Sequence, residues 1–183
     1  SYGPSAFPNQ TWDSSNYWVD VVFNPNTPFT PSPTPQGTTS PTSTPTAAPS
    51  STPAPTQPSL SGASLWNMAI TPAMITVNDP NPVELGVKFR AGTDGFISGI
   101  RFYKGPLNTG NHIGNLWDSN GALLASAAFQ GETASGWQTV AFVNPVPVTA
   151  NTVYIASYHT DAGYFSMTQP YFNVGYSNAP LYA

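Results

Sequence analysis

"VELGVKFRAGTDGFISGIRFYKG" (residues 83–105) holds two runs in which apolar and polar side chains alternate. In the first, Leu85, Val87 and Phe89 fall on one face against Glu84, Gly86 and Lys88; in the second, Phe96, Ile100 and Phe102 share a face opposite Arg101 and Tyr103. A period of two belongs to extended chain with one buried face, so the stretch predicts two strands.

The pattern continues toward the C-terminus. "GNLWDSNGALLASAAF" (114–129) sets Asn120-Gly121 between two apolar runs, a strong short-range hairpin signal. "ALLASAAF" within it is too short for a helix and ends in a Gly-Glu-Thr turn, so it reads as a strand. "GWQTVAFVNPVPVTANTVYIASYH" (136–159) reads as short strands broken at Asn144-Pro145 and Ala150-Asn151. On the N-terminal side, Pro72, Pro80 and Pro82 make residues 64–82 a loop with short extended pieces. Regular turn signals without a sustained helical period predict an all-β fold, an antiparallel, jelly-roll-like β-sandwich.

Further upstream the composition changes. From Asn24 to Ser59 the chain is Pro, Thr and Ser with almost no large apolar side chain, and it cannot bury enough surface to offset its ordering entropy. It is expected to be an extended spacer of the kind that carries O-linked sugars, with Thr30, Thr34, Thr38, Thr39, Thr42, Thr44, Thr46, Thr52 and Thr56 as candidate acceptors. Ahead of it "NYWVDVVF" (16–23) looks like another strand, isolated from any sheet. The chain therefore divides into a strand region (1–23), a spacer (24–59) and the main body of a sandwich (60–183). In the strand, Tyr17, Val19, Val21 and Phe23 share one face, and Trp18, Asp20 and Val22 the other; the charge makes the second face the expected outer one.

Composition narrows the function. Only 7% of the 183 residues are charged, the net charge is -4, and aromatics reach 13%. The four cations, Lys88, Arg90, Arg101 and Lys104, read as the solvent side of two strands, and no basic face can neutralise a row of phosphates, so nucleic acid is not an expected partner. Cysteine is absent, which excludes disulfides and Cys-based zinc sites. No run approaches eighteen apolar residues, so no membrane span is expected, and Ser1 begins without a signal peptide, as in a mature or excised piece.

Chemistry is sparse. His112 and His159, the latter beside Asp161, are expected to be hydrogen-bonded turn residues rather than a catalytic or metal cluster, and Glu132 and Asp118 have no pairing spacing. The chain reads as non-catalytic, without a cofactor. Calcium is the minority alternative, through Asn78, Asp79, Asn81, Asp94 and Asp118, although no EF-hand or repeat-type calcium spacing is present and ordinary turn chemistry is favoured. Trp12 and Trp66 lie in loops and are candidates for stacking on sugar rings, whereas Trp117 and Trp137 read as core. Asn9-Gln10-Thr11 fits an N-glycosylation sequon.

Several motifs then coincide: GVKF (86–89), GIRFYKG (99–105), NTGNHIGNLW (108–117), GETASGWQ (131–138) and ASYH (156–159). Together they resemble domain-of-unknown-function family 4082, a family of bacterial secreted and cell-surface domains, from about Leu65 to Ala183. The resemblance implies that "FPNQTWDSSNYWVDVVF" (7–23) corresponds to the family's last strand, standing here before the domain instead of after "NAPLYA" (178–183). The chain is thus expected to be cut out of phase from a tandem array, with other copies of itself, head to tail, as partners. Tyr17, Trp18, Val19, Val21, Val22 and Phe23 would form the strand-donor interface, completing the domain of a neighbouring copy or their own. The expected function is a secreted or cell-surface structural or adhesive repeat whose beads exchange strands; the alternative is a carbohydrate-binding module tethered to a secreted enzyme, with glycans as partners.

Overall fold

The computed structural model describes residues 2–25, 57–58 and 60–183, and the candidate O-glycosylation threonines, Thr30 to Thr56, lie outside the described residues. Nine strands are described: β1 (Val19–Asn24), β2 (Val83–Ala91), β3 (Gly95–Lys104), β4 (His112–Asp118), β5 (Leu123–Ala128), β6 (Gly136–Val148), β7 (Val153–Thr160), β8 (Ser177–Asn178) and β9 (Leu181–Tyr182). They form a three-stranded sheet, β1-β3-β6, and a six-stranded sheet, β5-β4-β7-β2-β9-β8, with every pairing antiparallel. The protein is an all-β sandwich, as the alternation predicts. Among the described residues no helix is long and apolar enough to cross a membrane.

The core lies between the sheets. Phe102 of β3 stacks on Tyr158 of β7 with ring centroids 4.2 Å apart, and meets Phe129 edge-on at 4.8 Å. Leu85, Val87 and Phe89 are buried, as their alternation requires. Residues 64–82 contain no strand. The Asn120-Gly121 turn closes β4 onto β5: Gly121 takes a φ of 89°, and the Asp118 carboxylate accepts the amides of Asn120 and Ala122 at 2.9 and 2.8 Å.

Four expectations need correction. Ile97, not Phe96, is fully buried with Ile100 and Phe102, because the β3–β6 register shifts between Ile97 and Gly99 and reverses the alternation. That shift absorbs Asn144-Pro145 inside β6, so the dipeptide interrupts pairing without ending the strand. Arg101 and Lys104 are buried rather than solvent-facing, because Arg101 pairs with Asp20, and Lys104 with Glu132 at 2.6 Å. The face carrying Trp18, Asp20 and Val22 does lie opposite the one that meets the six-stranded sheet, but loop residues around Leu65 and Trp66 cover it, and all three are buried.

Candidate functional site

β1 pairs with β3 of the same chain, Val19 facing Phe102, Asp20 facing Arg101 and Val21 facing Ile100. Residues opposite each other share a face, so Val19 and Val21 join Phe102 and Ile100 against the large sheet, and Asp20 joins Arg101 beneath the loop. The strand begins at Val19 because Trp18 has a left-handed φ of 55°. Its cost is offset locally: the Trp18 amide donates to Asn16 Oδ1 at 2.8 Å, and the indole N–H to Thr168 Oγ1 at 3.0 Å. Trp18, Val19, Val21, Val22 and Phe23 are at most 2% exposed, and Tyr17 is half-buried, edge-on to Phe165 at 5.7 Å.

Asp20 fixes the strand to the covering loop. Its carboxylate pairs with Arg101 Nη2 and accepts the amides of Leu65 and Trp66 at 2.8 and 3.3 Å, while Arg101 Nη2 also donates to the Trp66 carbonyl at 2.6 Å. Burial pushes the Asp20 carboxyl above its ordinary range, against the pull of Arg101 and of the Leu65 and Val21 amides.

Upstream of β1, the chain crosses the outer face of the six-stranded sheet. Ser5 Oγ donates to Glu84 at 2.9 Å, Asn115 and Ser157 donate to the other carboxylate oxygen of Glu84, and Phe7 packs edge-on to Trp117 at 5.8 Å. Tyr2 bridges Val83, and its hydroxyl donates to Asp79 at 2.6 Å. That hydrogen bond holds the Asp79 carboxyl below its ordinary range and the Tyr2 phenol above it.

Between this segment and β9 lies a cleft of about 770 Å³. Its floor is β2 from Val83 to Lys88; its walls include Trp12, Tyr17, Phe165, Met167 and Phe172, and Ala183 stands at its margin. β2 pairs with β7 from Val83 to Arg90, but on its other side it meets β9 only at Arg90 and Ala91. Trp12 is 69% exposed at the rim. Asp13 and Ser14, with φ of 42° and 51°, shape the turn that presents it, and the Ser14 carbonyl accepts the amides of Tyr171 and Phe172 at 2.9 and 2.8 Å. An exposed indole on a fastened turn beside a cleft has a free ring face on which a flat apolar group could stack.

Trp66 is different. It is 0% exposed, its ring packed against Trp18, Tyr171, Phe172 and Tyr176 and its N–H bonded to Tyr171 Oη at 2.8 Å, so it has no face to offer a sugar. The loop position suggested exposure; the three-stranded sheet needed a cover and took this residue for it.

His112 and His159 point to opposite faces of the six-stranded sheet. His112 faces the core, 4.8 Å from the Phe102 ring, with Nδ1 at 2.8 Å from Glu132 and Nε2 at 2.9 Å from Asn108. His159 lies beyond that face, 3.7 Å from Glu84 and 3.2 Å from Asp161. The two therefore do not meet with Asp161 in one cluster. Among the described residues no three His, Asp or Glu groups gather as an ion-holding set. Asp79 is engaged with Tyr2 and Asn81, Asp94 accepts the Ala150 amide at 2.7 Å, and Asp118 closes the hairpin.

Glu132 supplies a pH prediction. Burial raises its carboxyl pKa, but hydrogen bonds and charge from His112 and Lys104 outweigh that, and it lies below its ordinary value of 4.5. The folded state therefore binds this proton less readily than the unfolded chain, and the contribution to stability is present above the ordinary value and lost as pH falls through the lower folded one. Urea titrations of wild type and Glu132→Gln from pH 7 to pH 3 should show wild type losing more stability below about pH 4.5. Parallel losses in the two proteins would contradict this.

No curated protein matches the chain. The model of the family described as Domain of unknown function (DUF4082) matches residues 69–183, which take in β2 to β9 but not β1 or the segment that carries Trp12. The matched part covers more than half of the 183 residues, and the chain belongs to this DUF4082 family.

Proposed function

We propose that the protein is a non-catalytic structural or adhesive repeat unit of an extracellular stalk or filament, in which sandwich beads alternate with Pro/Thr/Ser spacers and neighbouring copies exchange strands. The carrying observation is β1: a strand buried on both faces belongs to a body from which the spacer separates it in sequence. Such a strand can be supplied by its own chain or by a neighbour in the same pairing, and repeated supply by a neighbour links copies head to tail. The low charge and the hydroxyl-rich spacer suit a surface kept in solution by sugars.

Limited proteolysis of native material within the spacer tests the repeat. The reading expects a ladder whose deglycosylated steps are each near 19.4 kDa, and a single product without a repeating step contradicts it. Intact mass tests the glycans: each copy should exceed 19.4 kDa in hexose-type increments borne on Thr and Ser between Thr27 and Thr56, and bare mass contradicts that part.

A carbohydrate-binding module is the second reading, favoured by Trp12 at the cleft rim. On that reading, a glycan array detects a saccharide whose binding falls at least tenfold in Trp12→Ala. Because this side chain is mostly exposed, its removal should change stability by less than about 0.5 kcal/mol. Binding that survives the substitution excludes Trp12 as the platform.

A further inference from the structure

The open side of β2 has the dimensions of a missing stretch of strand, and what flanks it is informative. Two pieces of chain lie on that edge, both antiparallel to β2 and therefore running in the same direction. β9 sets Leu181 against Ala91 and Tyr182 against Arg90, and at the other end Tyr2 bridges Val83. The edge groups can be assigned by alternation. The Gly3 amide donates to the Pro82 carbonyl at 3.0 Å, and the Gly92 amide to the Pro180 carbonyl at 2.7 Å, so even-numbered residues point toward this side. Between the two pieces, Gly86 and Lys88 present their N–H and C=O groups to the cleft with no strand opposite them among the described residues.

We infer that the cleft is the seat of a continuous strand running from β9 of one copy into the N-terminal segment of a second copy, by way of a connector of about four residues. The inference rests on the head-to-tail reading above and adds its register. Six residues of β2, Glu84 to Phe89, separate the one that Tyr182 meets from the one that Tyr2 meets. Six residues must therefore stand between a Tyr182 and the Tyr2 that follows it. Ala183 and a Ser1 supply two, leaving a connector that faces Leu85 to Lys88. At about 3.3 Å per residue, four extended residues add roughly 13 Å. Joined this way, β9, the connector and the second copy's Tyr2 form one edge strand, and that copy's β1 continues into the three-stranded sheet of the first. Pairing covers the exposed edge, which otherwise invites non-specific strand addition.

The test uses the full chain with Val21→Asp, which puts a charge into the core position of its own β1. This chain is extended at its C-terminus by residues 1–25 of a second copy through connectors of zero, four or twelve Ser/Thr residues. Without an extension the variant should fail to unfold cooperatively. With four residues, folding should return and the Gly86 and Lys88 amides should exchange at least tenfold more slowly than in the wild-type chain. Twelve residues should restore folding by looping out, without protecting those amides, and zero should fail. Equal rescue at zero and four, or rescue at four without protection at Gly86 and Lys88, overturns the inferred register and leaves strand exchange standing. No rescue at any length overturns both.

Discussion

A chain stripped of residues 1–24 should show no cooperative unfolding transition. The loss removes Val19, Val21 and Phe23 from between the sheets and Trp18 and Val22 from beneath the loop, all at most 2% exposed. Burial of each such side chain contributes roughly 1.5–3 kcal/mol. Five of them together come to about 7.5–15 kcal/mol, comparable to the roughly 5–15 kcal/mol by which a whole domain is stable. The deletion also leaves Arg101 without Asp20, and uncovers the β3 edge from Phe96 to Phe102. Circular dichroism and dye binding on residues 25–183 check the expectation. A sharp thermal transition close to that of the full chain would show that β1 is dispensable.

The second large effect is expected at Arg101. Arg101→Met keeps much of the apolar stem but leaves the Asp20 carboxylate buried and unpaired, and should cost about 3–5 kcal/mol in urea denaturation. The burial that already pushes the Asp20 carboxyl upward acts without opposition from Arg101 once the guanidinium is gone. Adding Asp20→Asn should recover part of the loss, because a neutral amide leaves no stranded charge, although it cannot accept both the Leu65 and the Trp66 amides as well as a carboxylate does. A double variant as unstable as Arg101→Met would mean that the pair matters through packing alone, including the guanidinium that lies 4.8 Å from the Trp137 ring centroid.

The strands and hairpin were legible because they rest on local periodicity and on one turn dipeptide. Leu85, Val87 and Phe89 are buried as their alternation says, and Asn120-Gly121 turns the chain between β4 and β5. The misreadings share a cause: each needs a partner distant in sequence. Asp20 and Arg101 are separated by 81 positions, so each alone looks like a solvent-facing charge. Trp66 looks exposed in a proline-rich loop until that loop is laid over Trp18 and Asp20. Phe96 and Ile97 exchange faces because the register shift depends on β6. Of the candidate site, Trp12 was legible as an exposed aromatic, but the open edge of β2 was not, because it comes from how far β9 and Tyr2 reach along a common neighbour.

Strand exchange is tested most directly by a chain of two full copies joined by a four-residue connector, with Val21→Asp in the first copy alone. Amide exchange is read separately on β2 to β9 of each copy. Strand exchange predicts that the first copy's body, completed by the β1 of the second, keeps its protection while the second copy's body, with no copy after it to supply a β1, loses its own. Loss of protection in the first copy with the second intact would show that each β1 serves only the body that follows it in sequence, and would contradict strand exchange.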